Sequence, residues 1–241
     1  MKTLILNGSP RKNGDTAQLL ELAKAQLQGT YHVVSAYTAD IHPCIDCRHC
    51  QKQFGCIFAD EMEAVYTYLK DCDRILLASP IYFSELTGSL LNVISRLQPY
   101  FYARYFRKEP IPLHIQKAVT VLVGGGTGSP KKAYDTAAGI FQLLQVKEQY
   151  PFFCSHHTDQ IPATADLDFM QTFQKAMHFL NTACRFKVIW AVEHALRLPF
   201  QRFHTNHPKQ IQKILRMHQK NKVHPQFVKY SRNAWLFETS A

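Results

Sequence analysis

The sequence predicts an α/β fold: a doubly wound parallel sheet of five strands with helices on both faces, followed by a helical C-terminal extension. Three observations lead there. Short apolar runs alternate with amphipathic helical segments through residues 1–184, the pattern of a parallel sheet covered on both sides. Three of the runs end in loops rich in Gly, Ser or Pro, and such loops after strands collect on one edge of the sheet. Charge then divides the chain. Residues 1–184 carry 17 Lys and Arg against 16 Asp and Glu, whereas residues 185–241 carry 11 against 2. The expected domains are therefore 1–184, nearly neutral, and 185–241, a basic extension.

Each element has its own signal. Leu4, Ile5 and Leu6 form a buried strand that stops at Gly8-Ser9-Pro10. A helix follows, with Leu19, Leu20, Leu22, Ala23 and Leu27 at helical spacing. His32 to Tyr37 reads as the second strand and Asp60 to Leu69 as a helix. Arg74 to Ser79 is the third strand, ending in Pro80, and Leu86 to Leu97 is a helix. Residues 98–114 read as a long aromatic connection, and Lys117 to Val123 as the fourth strand. A helix from Lys132 to Leu144, a fifth strand from Gln149 to Cys154 and a helix from Asp168 to Cys184 complete the domain. Beyond it, Phe186 to Leu196 and Gln210 to His218 show helical spacing.

Bulk properties narrow the class. Apolar residues make up 46% of the 241, enough for a core, and no apolar run approaches the roughly 20 residues of a membrane span. The N-terminus turns polar too soon for a signal peptide. Seven cysteines is an odd number, and four lie between residues 44 and 56. That argues against a secreted disulfide framework and for a reducing cytoplasm with a metal or redox use.

The first loop is built to hold an anion. Ser9 and Thr16 offer hydroxyls, Arg11 a charged fork, and the helix that follows its positive dipole end. The Walker pattern and Gly-x-Gly-x-x-Gly are both absent at this turn, so the site suits a mononucleotide phosphate. Asp15 beside a phosphate is unfavourable unless it points away, and reads as a helix cap. Ser79-Pro80-Ile81-Tyr82-Phe83 offers a rigid turn, exposed amides and two rings. Gly124-Gly125-Gly126-Thr127-Gly128 allows close backbone approach to a planar ligand. Lys131 and Lys132 read as a solvated helix start.

Cys44, Cys47 and Cys50, then Cys56 after Gly55, can converge on one soft metal centre. Four thiolates suit a [4Fe–4S] cluster; four-thiolate zinc is the other reading, although zinc sites usually pair two separated Cys-x-x-Cys units. Cys72, Cys154 and Cys184 sit in apolar contexts and read as small core residues. His156, His157 and Asp159 read as a surface loop, because adjacent side chains on an extended segment point apart.

These motifs resemble a known family. Gly8-Ser-Pro-Arg-Lys-Asn-Gly-Asp-Thr16 is similar to the phosphate loop of the flavodoxin-like NAD(P)H-dependent FMN reductases. Ser79 to Phe83 resembles their flavin-ring loop, and the cysteine segment resembles that of the iron–sulfur flavoprotein branch. Asp15 departs from the Asn more usual there. The likeness covers roughly residues 1–180. It implies a flavodoxin-like sheet of order 2-1-3-4-5, with FMN as cofactor and NAD(P)H as electron donor. The residues expected at FMN are Ser9, Arg11, Asn13, Thr16, Ala17, Pro80, Ile81, Tyr82, Phe83, Gly124, Gly125, Gly126 and Thr127. A [4Fe–4S] cluster would sit on Cys44, Cys47, Cys50 and Cys56. No catalytic side chain is expected.

The implied function is electron transfer from nicotinamide through flavin to a quinone, another flavin or a small electrophile, directly or through the cluster. Two other readings stand: an electron carrier, or a non-catalytic FMN- or metal-binding sensor whose basic tail engages an anionic partner. The tail's apolar face suits packing on its own domain or in a homodimer or homotetramer, and its basic rim suits an anionic partner.

Overall fold

The computed structural model describes residues 1–182. The elements, in chain order, begin with β1 (Lys2–Asn7), α1 (Asp15–Gln26), β2 (Thr30–Ser35), α2 (His49–Lys52), α3 (Met62–Lys70) and β3 (Arg74–Pro80). They continue with α4 (Gly88–Ser95), α5 (Gln98–Tyr102), β4 (Lys117–Val123), α6 (Lys131–Leu143), β5 (Glu148–Gln149), β6 (Cys154–Ser155) and α7 (Leu167–Asn181). The expected extension after residue 184, and Cys184 itself, lie outside the described residues.

The strands form one parallel sheet of order β2-β1-β3-β4-β5, with β6 also paired to β4. Alternation along the strands supplies two cores. On one face Leu4, Leu6, Ile75 and Leu77 meet Met62, Val65 and Leu69 of α3, Leu90 and Val93 of α4, and Phe141 of α6. On the other, Ile5, Leu76, Ala78, Val119 and Val121 meet Leu19, Leu20 and Ala23 of α1 and Phe169, Phe173 and Met177 of α7. A strand covered on both sides must be apolar at every position, as Ile75-Leu-Leu-Ala78 is. Leu22, on the solvent side of α1, is exposed. Cys72 and Cys154 pack in or against the first core. Burial pushes their thiols up, to about 11 and about 12 respectively.

Two buried cations close the amino edge of the sheet. Lys117 Nζ donates to the Phe179 and Thr182 carbonyls at 2.8 and 2.9 Å, and Arg74 Nη1 donates to Leu180 O at 3.1 Å. Both add a donor to carbonyls at the C-terminus of α7, where positive charge is favoured.

Three expectations need correction. The fifth strand is broken at Pro151, which has no N–H to give the ladder. The pairing offset is 31 at Ala118↔Gln149 and 32 at Leu122↔Cys154, so one residue bulges out between β5 and β6. The aromatic connection 98–114 opens with α5 and a π-helical turn at Ala103–Arg107, because Pro99 sits in the first turn of the helix, where its missing N–H costs nothing. Gly14, not Asp15, is the N-cap of α1.

Candidate functional site

The carboxyl ends of β1, β3 and β4 open into a cavity of about 330 Å³, within the roughly 300–1,000 Å³ common for small-molecule sites. Its wall takes Ser9, Pro10, Arg11, Gly14, Asp15 and Thr16 from the loop after β1, and Pro80, Ile81 and Tyr82 from the end of β3 and the turn after it. Val123, Gly125 and Gly126 come from the end of β4 and its loop, and Thr158 and Asp159 from the turn after β6.

The loop after β1 is braced by its own side chains. Ser9 N donates to Asn7 Oδ1 at 2.9 Å, and Ser9 Oγ donates to Arg11 O at 3.1 Å. Gly8 N donates to Ala78 O at 2.8 Å, and Gly8 O accepts from Thr87 Oγ1 at 2.8 Å. A Cβ on Gly8 would stand 2.8 Å from Ser79 Oγ and 2.9 Å from Leu90 Cδ2, so only glycine lets the loop lie this close to β3 and α4. The first backbone bond of α1 is Gln18 N to Gly14 O. The N–H groups of Asp15, Thr16 and Ala17 precede it and have no helical acceptor. Thr16 is 3% exposed, and its hydroxyl has no protein partner among the described residues. Asp15 Oδ1 accepts from Ala163 N at 2.7 Å, which turns the carboxylate toward that backbone N–H.

The turn after β3 is tight. Tyr82 N donates to Glu85 O and Glu85 N to Tyr82 O, at 2.9 and 3.0 Å. Phe83 and Ser84 between them have φ of 53° and 64°, the two left-handed positions of a type I′ turn filled without glycine. Such backbone costs on the order of 1–3 kcal/mol per residue and collects at functional sites. Ile81 N donates to Val123 O at 2.8 Å, which ties this turn to the next loop. Gly124 N donates to Ser155 O and Gly124 O accepts from Thr158 N, at 2.8 and 3.1 Å.

Of the thirteen residues expected at FMN, Ser9, Arg11, Thr16, Pro80, Ile81, Tyr82, Gly125 and Gly126 share this cavity. Asn13, Ala17, Phe83, Gly124 and Thr127 stand outside its wall. Phe83 is fully exposed on the I′ turn, and Gly124 is held in backbone bonds. Thr158 and Asp159 lie in a surface turn, as the sequence reading has it, with Asp159 exposed, and they also line the wall. The same carboxyl-end rule, applied to the strand at Cys154, would have found them.

The four cysteines Cys44, Cys47, Cys50 and Cys56 line a second, small pocket with Arg96 and Tyr102. The two pockets share no residue. Burial pushes the Cys50 thiol up, and the neighbouring Cys44, Cys47 and Cys56 push the same way, so the sulfurs feel one another. Asp46 N approaches Cys44 Sγ at 3.5 Å. As folded, no group of three or more His, Cys, Asp or Glu among the described residues has the disposition of a metal site. The space between the cysteines is about 20 Å³, close to that of one water. A four-iron cluster would need the segment to open. Ile45, Asp46, Cys47 and Arg48 are all exposed, while the ends of the segment are held, Cys44 N donating to Ser95 Oγ at 3.0 Å and Arg107 Nη1 donating to Cys50 O.

The segment is anchored behind by a buried ion pair the sequence did not reveal. Arg96 Nη1 and Nη2 meet Asp60 Oδ2 and Oδ1 at 2.6 and 3.1 Å, with the side chains 1% and 3% exposed. Arg96 Nη1 also donates to His42 O at 2.7 Å, and the guanidinium lies over the Phe58 ring at 5.0 Å. Burial alone would raise the Asp60 pKa. Hydrogen bonds from Arg96, His42 N and Met62 N outweigh it and hold the carboxyl below its ordinary value.

The profile of the NADPH-dependent FMN reductase family matches residues 1–158. An iron–sulfur flavoprotein of Methanocaldococcus jannaschii is 28% identical over 104 residues, 41% of this chain and 53% of that protein. Another, from Archaeoglobus fulgidus, is 29% identical over 103 residues, 42% of this chain and 47% of that one. The chain thus spans about half the length of the relatives it matches. A solved NAD(P)H:quinone oxidoreductase from Methanothermobacter marburgensis superposes with a TM-score of 0.56 at 16% identity, covering 76% of this chain and 98% of that one; at that identity the likeness concerns the fold. With a profile match over most of the chain and a sheet of the expected order, this chain belongs to the NADPH-dependent FMN reductase family.

Proposed function

We propose that the chain is an FMN-dependent NAD(P)H oxidoreductase that passes electrons to a quinone, another flavin or a small electrophile. The observation that carries this reading is the cavity, where the loops after β1, β3, β4 and β6 bring together a donor-rich end and a glycine-lined end. The donor set suits a phosphate: the Thr16 hydroxyl without a protein partner, the opening N–H groups of α1, and Arg11. Bound FMN would supply hydride acceptance from nicotinamide and onward delivery of electrons.

The residues of the chain do the holding. Thr16, Arg11 and the first turn of α1, with Asn13 and Ala17 through their backbone, fix the phosphate. Ile81 and Tyr82 wall the ring, while Gly125 and Gly126, with Gly124 and Thr127 behind them, let backbone approach its edge. Phe83, outside the wall and fully exposed, would help shape the approach of an acceptor. No side chain need move a proton for this chemistry.

With the segment opened, Cys44, Cys47, Cys50 and Cys56 would hold a thiolate-bound metal centre, and a [4Fe–4S] cluster is the form in keeping with the relatives' names. We take residues 1–184 as the flavin domain of a cytoplasmic homodimer or homotetramer, and 185–241 as a basic extension suited to packing on its own domain or on a second subunit. A well-folded oligomer unchanged by deleting 185–241 would favour an anionic partner for that segment.

The test is flavin-loaded protein given NADH or NADPH with a quinone or ferricyanide. Steady nicotinamide oxidation supports the reading. Tight flavin binding without turnover would favour the sensor, a non-catalytic binder of FMN or metal.

A further inference from the structure

Asp159 is an acidic group in the cavity wall with no protein partner among the described residues. Asp15, the other carboxylate of the wall, accepts from Ala163 N. The Asp159 carboxylate rests against bare backbone: a Cβ on Gly125 would lie 2.4 Å from its Oδ2 and 2.9 Å from its Oδ1. The turn that carries it is bolted down. Thr158 N donates to Gly124 O at 3.1 Å, and Gln160 N and Ile161 N both donate to His157 O, at 2.9 and 3.0 Å. The wall therefore presents an acceptor beside Gly125, held there by an adjacent backbone bond.

Asp159 is exposed, so solvent satisfies its carboxylate, and a ligand that covers it must supply a donor in the place of water. The strand before Asp159 lies three places from β1 in the sheet, although the chain after it returns to the start of α1, where Ala163 N donates to Asp15 Oδ1. The carboxylate itself lies beside Gly125 of the loop after β4, whereas a phosphate, which a carboxylate would repel, finds its donors on the loop after β1. The oxidised isoalloxazine edge is otherwise a row of acceptors, N1, O2, O4 and N5. Its one donor is the imide N3–H.

We infer that Asp159 accepts a hydrogen bond from the imide N–H of the bound flavin ring and so selects an unsubstituted pyrimidine edge. Asp159 is then a specificity-determining residue, and Gly125 the residue that makes room for it. The inference rests on the FMN reading above.

The experiment is a fluorescence titration of flavin-free full-length protein with FMN and with N3-methyl-FMN, for wild type, Asp159→Ala and Asp159→Asn, with circular dichroism as the check on folding. A lost hydrogen bond to a charged acceptor is worth about 10-fold or more in affinity. The wild type should prefer FMN by that factor. Asp159→Ala should bind the two flavins within about 2-fold of each other, and Asp159→Asn, which keeps one acceptor oxygen, should retain part of the preference. Equal binding of both flavins by the wild type overturns the inference and leaves the FMN reading standing. So does a preference that survives in Asp159→Ala, and so does an Asp159→Ala defect shared equally by both flavins, which would place the contact on the ribityl hydroxyls. Failure of the wild type to bind either flavin overturns both.

Discussion

Replacing Asp60 by Asn tests how the cysteine segment is held. In the native chain Asp60 accepts from Arg96 at 2.6 and 3.1 Å, from His42 N at 3.1 Å and from Met62 N at 3.1 Å. Both partners of the ion pair are buried. Asn keeps the shape and removes the charge, which leaves the Arg96 guanidinium buried without its counter-ion. Breaking a buried pair from one side typically costs about 3–5 kcal/mol, a large part of the roughly 5–15 kcal/mol a domain has. Urea unfolding at pH 7, followed by far-ultraviolet circular dichroism, should show a loss of that size. The pH dependence is more telling. Asp60 has a lower pKa folded than unfolded, so its stabilisation is complete above the unfolded value of about 3.9. It is lost as pH falls through the folded value, where the wild type becomes as neutral at this site as the variant. The gap between the two proteins should therefore close in acid. A gap that stays constant from pH 7 down to 3, or a loss under about 1 kcal/mol at pH 7, would refute the assignment of an ion pair here and point to packing alone.

Three further predictions concern the loops. Gly8→Ala forces a methyl against Ser79 Oγ and Leu90 Cδ2 and should cost about 1–3 kcal/mol, read as a lowered thermal midpoint; an unchanged midpoint would mean the loop has room to yield. Thr16→Ala and Arg11→Ala should each weaken FMN binding by about 10-fold, and unchanged affinity in both would remove the phosphate from this loop. Cys47→Ser should reduce the iron and sulfide of anaerobically prepared protein while leaving FMN affinity intact, because the two pockets share no residue; iron-free wild type from the same preparation would remove the cluster.

The fold was legible because its signals are redundant. Leu4 to Leu6, Arg74 to Ser79 and Lys117 to Val123 are apolar at nearly every position, and only a strand buried on both faces asks for that. The broken edge strand was less legible. Pro151 was in view, but whether a proline ends a strand or is carried by a bulge depends on the partner's register. Helix α5 was hidden by its aromatics, which are poor helix formers; Tyr100 is drawn into the core against Tyr66 and Phe54, and that burial overrides propensity. At the site, Ser9, Thr16 and Gly125 announced themselves by residue type and by position after strands. Asp159 was in view only as part of a surface loop, since its place follows from the strand at Cys154 and not from the loop's own residues, and the tie from Thr158 N to Gly124 O is not local. Arg96 and Asp60 are 36 residues apart, and pairing at such a separation is decided by the packing of α3 and α4, not by spacing along the chain.

The measurement that bears most directly on the central claim is a comparison of FMN with riboflavin, which differ only in the phosphate. Titrated into flavin-free protein, FMN should bind at least about 10-fold more tightly than riboflavin, because Thr16, Arg11 and the start of α1 act on the phosphate. Equal affinity for the two, or binding of neither, would contradict the account.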